Sequence, residues 1–430
     1  MTSRDEDGAM KHTSGWTGAA LLAAAVPALF GCTGGSSPEG SKDPDTIRYM
    51  LAQPEEAKQL DSIKADVAEF EKASGIQVEL DIVPADTLRT VLQTQLRSGQ
   101  GPDVFTYDTG PGFAGALAEA GLVEPLDAAY AEHDWPIYDF AKQRVTFGGA
   151  LTAIPNSIET LGLYYNQDLL DGLGIAPPSS LEELTAAAQA IKDSGAIPFA
   201  VSDKEGWQGG HLLSMILSSM VGSQGMEDLI DGTLSWDSPD VVAALEVIED
   251  YNDRGFFPPS PAGVGYDNGN ALFFSGEAAI LPTGSWLVQS IDENAAFGVS
   301  YAPFPSPGSP GIYSGGLGSG LFVSKSSQKS DAAIEFLDHT VTPDYGRYSV
   351  ETLQIIPAFP VDTTSVEGSP LWTQTIADAS KIADGTADFG YNLDVVSSAS
   401  FNEAMWNGVQ AILSGQSTPE QIAARLQKDR

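Results

Sequence analysis

The stretch TIRYMLAQPEEAKQLDSIKADVAEFEKASGIQVELDIVPADTLRTVLQTQLRSGQGPDVFTYD, from Thr46 to Asp108, decides the fold. Thr46–Ala52 reads as a strand. Over residues 55–73, Leu60, Ile63, Val67 and Phe70 fall on one helical face, and Gly75 stands where a C-cap belongs. Ile76, Val78, Leu80 and Ile82 then alternate with the period of a strand, which ends at Pro84. Asp86 is placed to cap a second helix carrying Leu88, Val91, Leu92 and Leu96 and stopped by Gly99, and residues 103–107 form a third strand. This βαβαβ order predicts a parallel sheet with right-handed crossovers. Such sheets bind ligands beyond the carboxyl ends of their strands. Here those ends are Gln53-Pro54 and Tyr107-Asp108-Thr109.

A second set of elements begins near Ile154. Leu161–Tyr165 is strand-like, and Ser180 with Glu183 has the spacing of a capping box opening a helix that runs to Asp193. Ile197–Val201 reads as another strand, and helical segments follow over 210–220 and 240–254. The pattern predicts a second α/β lobe.

Of the 430 residues, 42% are hydrophobic and 18% charged, enough apolar side chain to bury cores in more than one domain. The 58 acidic and 21 basic residues give a formal charge of −37. That surface repels phosphate backbones, which excludes nucleic acid as an expected partner. The single cysteine, Cys32, allows no intrachain disulfide. It follows an uncharged Ala- and Leu-rich run over 18–30, too short to span a bilayer but suited to the apolar region of a signal peptide. Leu29-Phe30-Gly31-Cys32 resembles the lipobox of bacterial lipoproteins, which implies cleavage before Cys32 and a lipid on its thiol. Asp5, Glu6 and Asp7 are unlike a basic leader start, and Met10-Lys11-His12 fits one better, so translation is expected to begin at Met10. Residues 32–45, rich in Gly, Ser and Pro, read as a flexible tether.

Several stretches resemble the extracellular solute-binding proteins of family 1, which include maltose-binding proteins. They are Gly-Pro-Asp-Val-Phe at 101–105, Gly-Leu-Tyr-Tyr-Asn-Gln-Asp-Leu-Leu at 162–170 and Pro-Pro-Ser-Ser-Leu-Glu-Glu-Leu at 177–184. Phe-Phe-Ser-Gly-Glu-Ala-Ala-Ile at 273–280 leads to Gly-Ser-Trp at 284–286, and Ser314 to Lys325 with Asp331 to Leu337 resembles the family's return to its first lobe. The C-terminal segment 410–426 fits as well. The resemblance implies a type II periplasmic-binding-protein fold, two α/β lobes joined by hinge strands, with crossings near 156, 315 and 345. The first lobe then comprises 46–156 with 316–344, and the second 157–315 with 345–430. It also implies a monomer that passes a small carbohydrate to ABC transporter permease subunits, held at the outer face of the membrane only by its lipid.

A sugar offers hydroxyls at its edges and apolar C–H faces, so its site needs aromatic platforms and directional polar groups. Trp286 matches the ligand-stacking tryptophan of sugar-binding members; its alternative is a core ring. Trp207 stands in the polar, Gly-rich loop Asp203-Lys-Glu-Gly-Trp-Gln-Gly-Gly, where relatives carry aromatic contacts. Glu159 aligns with an acidic sugar contact, against the alternative of a solvated carboxylate. Tyr107 and Asp108 follow the third strand, where a carboxylate can accept from two hydroxyls; a simple turn is their alternative. Gln53 and Ser285 complete the polar set, and Gly315 and Gly316 allow close backbone approach or hinge bending. Tyr391 and Asn402 are weaker candidates.

These loops hold almost no Lys or Arg beyond Lys204, which argues against an anionic ligand. The four histidines are isolated, so no metal is expected, and no dinucleotide, phosphate-loop or nucleophile-elbow motif points to a cofactor or catalytic role. A polyol or glycerol phosphodiester receptor is the binding alternative. A secreted glycoside hydrolase is the enzymatic one, since 58 acids always supply some carboxylate pair.

Overall fold

The computed structural model of the protein describes residues 46–54 and 57–430. The expected signal, Cys32 and tether lie outside the described residues. Strands β1 (Thr46–Ala52), β2 (Gln77–Val83) and β3 (Val104–Asp108) pair in parallel with β1 between the others. The helices that connect them, Ala57–Ser74 and Ala85–Arg97, follow the apolar period of the sequence, and Val67 and Phe70 are buried on the first. The second helix starts earlier than its sequence suggests. Pro84 holds the cap position and its carbonyl accepts from Thr87 and Leu88 N–H, both at 3.0 Å, so Asp86 falls inside the first turn.

A small hairpin, β4 (Thr146–Phe147) and β5 (Ala150–Leu151), precedes β6 (Ala153–Pro155). The chain then leaves the first sheet and enters β7 (Glu159–Asn166), which heads a second sheet with β8 (Ile197–Phe199), β9 (Ala278–Gly284) and β10 (Val299–Ala302). β11 (Ser314–Gly316) pairs antiparallel with β7, and two residues later β12 (Ser319–Val323) is back in the first sheet. The strand orders are β2-β1-β3-β12-β6 and β10-β7-β9-β8. Two α/β lobes result, bridged by extended chain.

The second lobe's core is built around the helix Trp207–Asp231, kinked where Gly222 takes φ 73° and ψ 174°. The last two helices, Ala399–Leu413 and Pro419–Asp429, add Met405, Val409, Ile412 and Leu426 to that core. Ser180 caps the helix Leu181–Ser194 by accepting from Glu183 N–H at 3.2 Å, while the Glu183 carboxylate closes on Ser179 N–H at 2.8 Å instead of returning to Ser180.

The third crossing lies beyond residue 345, the position the resemblance implies. Tyr345 stacks edge-on against His339, and Tyr348 Oη donates to Ser62 O at 2.8 Å, so residues 343–348 stay with the first lobe. The chain changes lobe over Ser349–Leu353, where Val350 O receives the Trp372 indole N–H at 3.1 Å. Among the described residues no helix is long and apolar enough to cross a membrane.

Candidate ligand-binding cleft

Beyond the carboxyl ends of β1 and β3, a cavity of about 450 Å³ opens between the lobes. Gln53, Asp108, Asn156 and Ser319 reach it from the first lobe, and Trp286, Gln289 and Ser290 from the second. The strand period determines which side chains arrive there. On β3, Val104, Thr106 and Asp108 share one face, while Phe105 and Tyr107 point to the other and join Met50 and Phe322 in a separate core. Tyr107 is therefore not a cleft residue: its ring is 2% exposed and its hydroxyl accepts from Gln93 at 3.4 Å. Gln53 is exposed at the rim, its backbone N–H donating to Val83 O at 2.8 Å.

Asp108 stands half-exposed, 3.7 Å from the Arg89 guanidinium, which also lies over the Phe113 ring at 4.5 Å. Desolvation by the cleft walls raises its pKa, opposed by Arg89. Glu159 begins β7, and its carboxylate covers Gly318 so closely that a Cβ there would lie 2.0 Å from Oε2. Its pKa is pushed up to about 7, mainly by burial; the Ser157 hydroxyl, donating at 2.9 Å, pulls it down, Asp108 raises it further and His211 lowers it. Asp108, Glu159 and His211 thus share one electrostatic neighbourhood.

The aromatic side of the site comes from the second lobe. Gly206, at φ 87°, turns the chain so that Trp207 opens its helix. One turn on, His211 lies against both indoles, 4.9 Å from Trp207 and 5.6 Å from Trp286 between ring centroids. The two tryptophans meet edge to face at 6.4 Å, and Trp286 Nε1 donates to Tyr266 Oη at 3.0 Å. Both indoles are half-buried: Trp286 lines the inter-lobe cavity, whereas Trp207 lines a small pocket within the second lobe with His211 and Tyr266. Behind them Asp394 lies 3.3 Å from His211 Nε2 and accepts from Trp406 Nε1 at 3.2 Å, with Asn392 Nδ2 3.1 Å from the same imidazole nitrogen.

Other residues expected at the site serve the scaffold. Ser285 is buried and its Oγ accepts from Thr160 N–H at 3.1 Å, tying the end of β9 to β7. Gly315, with φ 154°, lets β11 approach β7: a Cβ there would lie 2.0 Å from Glu159 O. At Gly316 a Cβ would press Val395 at 2.8 Å. Tyr391 is engaged from both sides, donating to Glu227 at 2.9 Å under the Arg144 guanidinium at 4.4 Å. Asn402 is buried and donates to Asp394 O at 2.8 Å. His211, Asp394, Arg89, Trp406 and Gly318, which surround the candidate residues, were not legible in the sequence. Only His211 carried a signal, since it stands four positions after Trp207 and so on the same helical face.

Two lobes, hinge-like crossings and a polar, aromatic cleft between them define a solute-binding protein. The chain belongs to the family described as bacterial extracellular solute-binding protein, whose profile matches residues 53–347. It is 28% identical over 203 residues to an uncharacterised ABC transporter extracellular-binding protein of Pyrococcus horikoshii, covering 46% of this chain and 45% of that protein. The chain thus spans less than half the length of that relative. It is 25% identical over 329 residues to the multiple sugar-binding protein of Streptococcus mutans, covering 73% and 75% of the two chains. A solved chitin oligosaccharide binding protein superposes with a TM-score of 0.78 at 25% identity, over 89% of this chain and 98% of that one. The fold is the type II periplasmic-binding-protein fold.

Proposed function

We propose that the protein captures a carbohydrate, an oligosaccharide, between its lobes and delivers it to the permease subunits of an ABC importer. In this reading it stands outside the cell, anchored by a lipid on Cys32. The observation that carries the proposal is an inter-lobe cleft lined by the Trp286 indole and the Asp108 carboxylate, with the Trp207 indole 6.4 Å from Trp286 and Glu159 electrostatically coupled to Asp108. Indole faces match the apolar faces of pyranose rings, and carboxylates accept from paired hydroxyls. The sugar-binding relatives support the same class of ligand.

A glycerol phosphodiester fits less well. Its charge would meet Asp108 and Glu159, while the Arg89 guanidinium already faces Asp108. Melting of the protein against neutral oligosaccharides, polyols and glycerol phosphodiesters tests the reading, since a ligand of the native state raises the melting temperature. An oligosaccharide is expected to give the largest shift, without being hydrolysed. Stabilisation by phosphodiesters or polyols alone would overturn the sugar assignment, and turnover would overturn the receptor role.

A further inference from the structure

The cavity does not end at the polar rim of the cleft. It continues inward between the first sheet and the helix Ala57–Ser74, and its lining changes character along the way. The strand register shows this directly. β12 pairs Ser319 with Asp108 and Leu321 with Thr106, while β1 sets Tyr49 beside Val104, a register that brings Gln53 and Leu51 level with the same two rows. The rim row is polar: Gln53, Asp108, Ser319. One step in, the row is Leu51, Thr106, Leu321. The end is closed by Tyr49, whose ring meets Phe336 at 5.2 Å. The opposite wall repeats the gradient at helical spacing, from Gln59 to Ile63 to Val67. Leu353 and Ile355, on the chain that crosses between lobes, line it from the side.

Several of the polar atoms lining this arm are already engaged. Thr106 Oγ1 and Tyr49 Oη bond to each other at 2.7 Å, Asp66 Oδ1 is held by His339 Nε2 at 3.0 Å, and Thr340 Oγ1 donates to Leu337 O at 2.7 Å. A sugar ring pushed into it would lose the hydration of its hydroxyls and find few new partners. An apolar group would lose nothing of that kind.

We infer that the inner arm is a subsite for an apolar substituent carried by the sugar, so that the protein's ligand is a glycoside with an aryl or alkyl aglycone. This rests on the carbohydrate reading of the cleft. The sugar occupies the polar rim and the indoles, and the aglycone enters the arm between Leu51, Ile63 and Leu321.

Calorimetric titration tests this with free maltose, cellobiose and chitobiose and with the 4-nitrophenyl and n-octyl glycosides of each. Burial of a phenyl-sized group should make the glycoside bind at least about tenfold tighter than its free sugar. Ile63→Trp, which fills the arm from the helix side, should reduce that ratio to within about threefold of unity. Ile355→Trp fills it from the other wall and serves if the first variant does not fold. A free sugar that binds as tightly as its glycosides overturns the inference and leaves the carbohydrate reading standing. A glycoside advantage that survives both variants also overturns it, because the gain then arises elsewhere. Failure of every sugar and glycoside to bind overturns both.

Discussion

Trp286 lines the cleft and is also tied into the scaffold. Its indole packs against two cores of the second lobe and is oriented by the hydrogen bond to Tyr266. Trp286→Ala is expected to weaken oligosaccharide binding by about 2 kcal/mol, roughly thirtyfold, as loss of an aromatic anchor does. Trp286→Phe, which keeps a flat ring, should recover part of it. Tyr266→Phe keeps the packing but removes the acceptor, and should cost about 1 kcal/mol of affinity. Calorimetry with the three variants checks the series. Asp203, under the Trp207 loop, is fully buried; Oδ1 accepts from Gly209 N–H at 2.7 Å and Oδ2 has no partner. Burial pushes its pKa from 3.8 up to about 8, and Glu159 is raised to about 7. The folded protein therefore holds protons that the unfolded chain releases, and stability falls as pH rises through this interval. Melting at a series of pH values should show that decline, and Asp203→Asn should flatten it by more than about 1 kcal/mol, the worth of one pKa unit.

Secondary structure was legible wherever one side-chain period dominates. The helix Ala57–Ser74 and strand β2 followed from the 3.6- and 2-residue repeats of their apolar positions. The departures from that pattern have physical causes. Pro84 closes the second helix's first turn with its own carbonyl, which makes a cap at Asp86 unnecessary. Tyr107 and Asp108 are neighbours in sequence, but a strand sends neighbours to opposite faces, so only Asp108 meets the cleft. Gly315 read equally as a ligand contact or a hinge; the approach of β11 to β7 accounts for it. Gly315→Ala should split that pairing, because its Cβ would stand 2.0 Å from Glu159 O. The expected result is a lower apo melting temperature, by about 2 kcal/mol or more in stability, the scale of overpacking a tight site. An unchanged melting curve would mean that β11 does not hold the crossing.

At the scale of the molecule, the parallel part of the first lobe's sheet could be read from the 63 residues Thr46 to Asp108, whereas the cleft could not be read from any one segment. Asp394 reaches His211, and Trp406 reaches Asp394, because the C-terminal part of the chain returns to the second lobe, and nothing local in the sequence marks that return. The lobes also meet beside the crossings. Gly112 N–H donates to Ser397 O at 2.9 Å, and a Cβ at Gly110 would lie 2.5 Å from Val395 O. Such a flank can act as a pivot while the cleft shuts, since hinge closure needs only a few residues to absorb the motion. Capture of an oligosaccharide between two lobes is the central claim. Small-angle scattering tests it most directly, with and without an oligosaccharide at a concentration that calorimetry shows to be saturating. The radius of gyration is expected to fall on binding as the lobes close over Trp286 and Asp108. An identical scattering profile at verified saturation would contradict capture by closure.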